Sequence, residues 1–144
     1  MKTVQTTVSS PKPPEEVYAY LVDFGNQPEW RFDVLESGLV GGEAGRTGAR
    51  YHQRVKPGRK EMSSEVELTK ADAHRTVAFR TVDDAPVTAS GEWQVSPEGS
   101  GSRVVCDVAI EAQGFVRLFE PFMGPSLRRT ARRYEEALEE RLRA

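Results

Sequence analysis

Apolar and polar residues change their spacing along the chain, and the changes divide it into three parts. The first opens with an extended, threonine-rich stretch, Thr3 to Ser9, that reads as a strand. In "SSPKPPEEVYAYLVDFGNQPEWRFD" the residues Val17, Tyr20, Leu21 and Phe24 then fall at i, i+3, i+4 and i+7, one stripe of a short helix. Pro13 or Pro14 fits its first turn, where a missing N–H costs nothing, and Glu15 and Glu16 suit the positive end of its dipole. Gly25-Asn26 ends this helix, and a short helical turn follows through Pro28 to Arg31.

From there to Ala112 the period is two, interrupted at "GGEAG", "KPGRK", "ADAH", "DDAP" and "SPEGSGS". Six strands are predicted between the breaks, near Val34–Val40, Ala49–Val55, Met62–Thr69, Thr76–Val82, Val87–Val95 and Arg103–Ala112. Connections this short make neighbouring strands antiparallel. Alternation selects one face. Tyr51, Gln53 and Val55 oppose Arg50, His52 and Arg54; Met62, Ser64, Val66 and Leu68 oppose Glu61, Glu65 and Glu67. Val77, Phe79, Thr81, Val87, Ala89, Gly91, Trp93, Val95, Val104, Cys106, Val108 and Ile110 continue the apolar face, while "VLESGLVGG" supports either phase. A sheet with one apolar face needs a cover.

The third part supplies it. Leu127, Ala131, Tyr134, Leu138 and Leu142 recur at three- and four-residue steps, so Pro125 to Arg143 reads as one helix. At ~1.5 Å per residue it measures about 28 Å, enough to cross a small sheet. The stretch Phe115–Met123 before it is apolar on nearly every side and interrupted by Pro121, where a kink or separate turn is expected.

Composition narrows the function classes. The 144 residues fit a single domain, 1–144, and a net charge of -2 argues against nucleic acid as the default partner. No run approaches the ~18 apolar residues of a membrane span, and the alternating N-terminus is unlike a signal peptide. One cysteine excludes an internal disulfide and suits a reducing compartment, so a cytoplasmic monomer or small homo-oligomer is expected.

Candidate chemistry is sparse. His52 falls on the charged phase and His74 in a turn, with no ligand-spaced partner, so no metal site is expected. Cys106 faces inward, where a thiol is ordinarily inert packing. "GLVGGEAG" lacks the following helix and lysine of a phosphate loop and reads as a hairpin turn. Tyr51, Gln53, Ser64 and Thr81 are the inward polar groups; they either orient a ligand or bond within the core. Arg128, Arg129, Arg132 and Arg133 crowd the first half of the last helix and Glu135, Glu136, Glu139 and Glu140 the second. They form either a solvated face with pairs such as Arg132–Glu136, or a mouth for an anionic head group or acidic partner.

The order strand, short helix pair, six-stranded meander and long terminal helix carries "VYAYLVDFGNQPEW", "GARYHQRV", "SGEWQV" and "RRYEEALEERL". With these motifs it resembles the START-like (Bet v 1-like, SRPBCC) superfamily, and within it the polyketide cyclase/dehydrase and lipid-transport group. The resemblance covers essentially the whole length. It implies an α+β helix-grip fold, a seven-stranded curved antiparallel sheet around a long C-terminal helix, with two short helices after the first strand. It also implies a carrier or sensor gripping a small hydrophobic, lipid- or polyketide-like ligand, with no cofactor. Trp30 and Phe32 would anchor the turn into the core, with plain hydrophobic filling as the other reading of Trp30. The inward candidates for the cavity are Tyr51, Gln53, Ser64, Val66, Val77, Phe79, Ala89, Trp93, Cys106, Val108, Phe122, Met123 and Leu127. Ala89 and Gly91 beside Trp93 would leave room for a guest. The alternatives are a polyketide cyclase/dehydrase-type enzyme, or an interaction module like the chaperone activators of the superfamily. Against the enzyme, Arg54 and Arg80 lie on the outward phase, so the pocket arginine of an aromatase-type cyclase has no counterpart among them.

Overall fold

The computed structural model describes residues 2–56, 59–82, 87–112 and 124–143. Alternation builds β1 (Lys2–Ser10), β2 (Val34–Gly41), β3 (Arg50–Val55), β4 (Met62–Asp72), β5 (Thr76–Thr81), β6 (Val87–Glu98) and β7 (Gly101–Ala112). The helical stretches become α1 (Pro14–Val22), a 3-10 helix (Phe24–Glu29) and α2 (Gly124–Arg143). The strands form one antiparallel sheet in the order β1-β7-β6-β5-β4-β3-β2. This is the helix-grip arrangement that the family resemblance implies.

Three boundaries differ from the sequence reading. The "ADAH" break is shorter, because β4 continues through Asp72 after a bulge between Leu68 and Lys70. "SPEGSGS" is mostly strand: β6 reaches Glu98, β7 starts at Gly101, and only Gly99-Ser100 turns the chain. Gly99 takes φ 59°, the left-handed conformation a tight hairpin demands. Gly25-Asn26 does not end the first helix. Asp23 does: it leaves helical geometry, and its carboxylate accepts the Gly25 N–H at 3.0 Å, starting the 3-10 helix.

β1 and β2 are the two edges of the sheet; α2 packs against β1 and reaches the turn that precedes β2. Toward β1, Glu135 and Glu139 accept the N–H groups of Thr7 (3.1 Å) and Ser9 (3.3 Å). Those donors line the open edge of β1, so the glutamates cover an edge that would otherwise template another strand. Ser10 Oγ donates to the Leu142 carbonyl at 2.9 Å and closes the far end of the contact. Toward β2, Tyr134 meets the rings of Trp30 and Phe32, and Arg141 Nε donates to the Glu29 carbonyl at 3.2 Å. Leu138 and Leu142 point into the core. The glutamates that the sequence suggests for helix-surface pairs such as Arg132–Glu136 thus include two that hold backbone instead. Replacing Glu135 and Glu139 together by alanine should lower stability by about 1–3 kcal/mol, read as a lower urea midpoint at unchanged slope.

Candidate functional site

The inner face of the sheet changes along the strands. At the end of the β6–β7 turn, Val95, Trp93, Val104, Cys106, Val77 and Leu68 are buried. α1 lies against β5, β6 and β7 there, presenting Val17, Tyr18, Leu21 and Val22, and shuts that end. At the opposite end, where Val55, Met62, Thr81 and Val87 begin or finish their strands, inward residues are only half-buried. Val4, Ser64, Thr81, Ala89, Val108 and Ile110 all belong to this group. One end of the interior is packed and the other is accessible.

Aromatic rings mark the boundary. Phe24, from the 3-10 helix, sits 5.7, 5.6 and 5.4 Å from the ring centres of Tyr51, Phe79 and Trp93. Trp30 stands edge-on to Trp93 at 5.9 Å and to Tyr134 at 6.0 Å, joining sheet to α2. The tryptophan past the proline turn is therefore a pillar between the two layers. Phe32 is not. It is 42% exposed, because the chain turns through residues 30–33 and no strand phase holds the two rings on one side. Phe32 lies instead between Tyr134 (5.3 Å) and the Arg133 guanidinium (3.6 Å to the ring centre).

Beside Trp30 runs a polar chain. Ser37 Oγ accepts from Gln53 Nε2 at 3.2 Å, and Gln53 Nε2 donates to Gln27 Oε1 at 2.7 Å. Gln27 Oε1 also accepts from Arg31 Nη1 at 3.0 Å, and Arg31 Nη2 donates to Asp33 Oδ2 at 3.2 Å. The ion pair is mostly enclosed, with side-chain exposures of 24% and 11%. Arg31 lies 5.3 Å from the centre of the Tyr134 ring. Burial works against the guanidinium charge, but Tyr134 and Asp33 more than offset it, so its pKa ends above the ordinary value. The Tyr134 hydroxyl comes near enough to bear on both charges. Even so, two buried atoms in this unit have no hydrogen-bond partner among the described residues: Arg31 Nε and Asp33 Oδ1. One is a donor and the other an acceptor, on neighbouring side chains beside the Tyr134 hydroxyl. Such groups are costly to bury alone and are suited to a guest that brings the complementary pair.

The inward arginine is thus Arg31, not Arg54 or Arg80. Arg54 bridges Glu36 and Glu61 on the outer face, and Arg80 is exposed. Of the sequence-selected residues, Tyr51, Gln53, Val66, Val77, Trp93 and Cys106 are buried in the packed interior. Ser64, Phe79, Ala89 and Val108 are half-buried and nearer the accessible end. Leu127 lies on α2 with its side chain outside the described set; Phe122 and Met123 lie outside the described residues. The room expected beside Gly91 is already filled: a β-carbon there would come 2.8 Å from Phe79 Cε1. Two inward polar groups satisfy each other's surroundings rather than a guest. Tyr51 donates to Asp23 Oδ1 at 3.1 Å and accepts the Gly45 N–H at 3.4 Å; Thr81 Oγ1 accepts the Ala89 N–H at 3.0 Å.

Burial also sets the titration behaviour of the interior. Desolvation, helped by Asp23, pushes the Tyr51 hydroxyl up to about 12. Desolvation raises Tyr134 as well, with Arg31 opposing and Asp33 adding to it; Tyr18 and Tyr20 are raised mainly by burial. A raised acid stabilises the fold while neutral in both states, below about pH 10, and loses that contribution as pH climbs through the folded value. Thermal unfolding should therefore be insensitive to the tyrosines at neutral pH and shift to lower temperature above about pH 10, with phenolate absorbance appearing later in native than in denatured protein. Burial also lifts the Cys106 thiol to about 12, consistent with an unreactive packing residue.

A separate hollow of about 560 Å³ lies on the other face of the sheet, over the row Val4, Val108, Gly91 and Phe79. Its walls are the outward residues Thr3, Gln5, Arg80, Ser90, Glu92, Asp107 and Ala109. Gln5 already directs its amide at Asp107 Oδ1 (2.8 Å), and the walls are solvated.

Residues 1–143 match the sequence model of a family described as polyketide cyclase / dehydrase and lipid transport. The chain belongs to this family. The protein TTHA0849 from Thermus thermophilus superposes with a TM-score of 0.77 at 23% identity, covering 98% of this chain and 97% of that one. A START superfamily protein from Mycobacterium smegmatis gives 0.75 at 15% identity, over 97% and 96%. The Zhui aromatase/cyclase from Streptomyces sp. R1128 gives 0.72 at 18%, over 98% and 93%. These likenesses establish the shared fold. No curated protein sequence matches. No helix among the described residues is long and apolar enough to cross a membrane.

Proposed function

We propose that this family member binds a small hydrophobic, lipid- or polyketide-like ligand between the sheet and α2. The guest enters at the end where the inner face is half-buried, and its polar group meets Arg31 and Asp33. The observation that carries this reading is the pair of buried, unpartnered atoms, Arg31 Nε and Asp33 Oδ1, beside an apolar interior that is accessible from one end. A carbonyl or carboxylate oxygen suits the donor, and a neighbouring hydroxyl suits the acceptor. Apolar contact supplies affinity and the two polar atoms fix direction.

The same pair favours a second reading, a cyclase or dehydrase. A guanidinium polarises a carbonyl, and the adjacent carboxylate can accept the proton released as the neighbouring carbon becomes part of an enolate. Native mass spectrometry of freshly purified protein tests the binding reading. A co-purified lipid-like mass that disappears on organic extraction is expected; ligand-free protein that also fails to take up added fatty acid or polyketide would remove it. Turnover of a polyketide chain by wild type, abolished in Arg31→Met, would establish the enzymatic reading.

A further inference from the structure

The accessible end of the molecule also carries an unusual surface. On α2, Arg128, Arg129, Arg132 and Arg133 follow one another without an acidic residue between them, and all four are exposed. On a 3.6-residue helix Arg129, Arg132 and Arg133 fan over the side facing away from Leu138 and Leu142, and Arg128 lies on the flank next to the Leu142 line. The Lys56 N–H donates to the Asp33 carbonyl at 2.7 Å, which places the start of the β3–β4 connection beside the Arg31–Asp33 unit. Exposed Arg59 and Lys60 follow on that connection. Arg133 stacks on Phe32 and Arg31 on Tyr134, so the helix arginines and Lys56 flank one another across the Phe32 turn.

None of Lys56, Arg59, Lys60, Arg128, Arg129 and Arg132 takes part in an ion pair among the described residues. Arg46, Arg50 and Arg54 each face a glutamate, while Lys12, Lys70, Arg75, Arg80 and Arg103 are unpaired among the described residues but spread singly over the chain. Within the unpaired zone two large apolar side chains are also exposed, Phe32 at 42% and Leu35 at 40%. A protein of net charge -2 has therefore gathered unmatched positive charge around exposed apolar groups at one end.

We infer that this end docks on an anionic lipid bilayer. The head groups supply the charge that Lys56, Arg59, Lys60 and the α2 arginines lack, and Phe32 and Leu35 enter the layer just below them. Long basic side chains above buried apolar ones match the depth profile of a membrane interface. Nucleic acid would meet the charge and could use Phe32, which stands between Arg133 and Tyr134, but would leave the exposed aliphatic Leu35 without a role. Docking concerns the outer surface and stands whether or not the interior holds a ligand.

Vesicle flotation tests it. Wild-type protein should float with phosphatidylcholine vesicles containing about a third phosphatidylglycerol, remain behind with pure phosphatidylcholine, and be released at about 0.5 M salt. The combined substitution Arg128→Gln, Arg129→Gln, Arg132→Gln should weaken binding on the order of a hundredfold, as expected for three surface cations. Leu35→Ser should weaken it less and leave the salt dependence intact. All these side chains are exposed, and circular dichroism with a thermal melt establishes that each variant is folded. Absence of flotation with anionic vesicles would overturn the proposal, as would equal flotation with neutral ones or undiminished binding by the folded triple variant. Binding to a DNA duplex without binding to vesicles would overturn it in favour of a nucleic-acid surface.

Discussion

Replacing Trp30 by alanine should destabilise the protein by about 3–5 kcal/mol, the cost of emptying a large buried aromatic site. For a chain of this length that is a drop of roughly 10 °C or more in the unfolding midpoint. The expectation rests on position rather than size alone. Trp30 is 6% exposed and touches Trp93 on the sheet and Tyr134 on α2, so its loss opens a gap between the layers that neither can close by itself. Phe32→Ala is the matched comparison. It removes a ring of similar size that is 42% exposed, and should cost about 1 kcal/mol, mostly the contacts with Tyr134 and Arg133. Differential scanning calorimetry of the two variants gives the ranking. Equal melting shifts would mean that Trp30 does not join the layers.

The second large effect concerns Arg31. Arg31→Met keeps the length of the side chain but leaves the Asp33 carboxylate enclosed without its cation, so the variant should lose about 2–4 kcal/mol. Adding Asp33→Asn removes the stranded charge and should return most of that stability. Ligand affinity should not return. For a fatty acid or hydroxy-ketone probe the double variant should bind about 10–100-fold more weakly than wild type, the worth of a charge-assisted hydrogen bond. For a hydrocarbon of the same length the two proteins should bind alike. Separate recovery of stability and loss of affinity distinguishes a recognition group from a structural ion pair. Full affinity in the stable double variant would assign Arg31 a structural role alone.

The fold was legible because each of its layers repeats. Alternation in Tyr51–Gln53, Met62–Leu68 and Val104–Ile110 gives strand and inner face together, and the steps from Tyr134 to Leu142 give the long helix and its core side. What was not legible lies where nothing repeats. Arg31 occupies a short turn between a 3-10 helix and β2, and a turn residue has no phase to read. It is enclosed by Tyr134, more than a hundred positions away in sequence, and by Gln27, whose role depends on Gln53 across the sheet. The same absence of phase explains Phe32, which the family resemblance places inward with Trp30 and the structure turns outward. Glu135 and Glu139 read as solvated charges because the edge N–H groups they accept belong to β1, the opposite end of the chain. Gly91 shows the converse: a small residue predicts space only until its cross-strand neighbour is known, and here Phe79 occupies it.

At the centre of this account stands the half-open inner face between sheet and α2. Intermolecular NOEs from a medium-chain fatty acid to protein methyl groups probe it most directly. Contacts to Ala89, Val108 and Ile110, lost in the Arg31→Met/Asp33→Asn protein, are the predicted result. NOEs to the outer-face residues Thr3 and Ala109, or none at saturating probe, would contradict it.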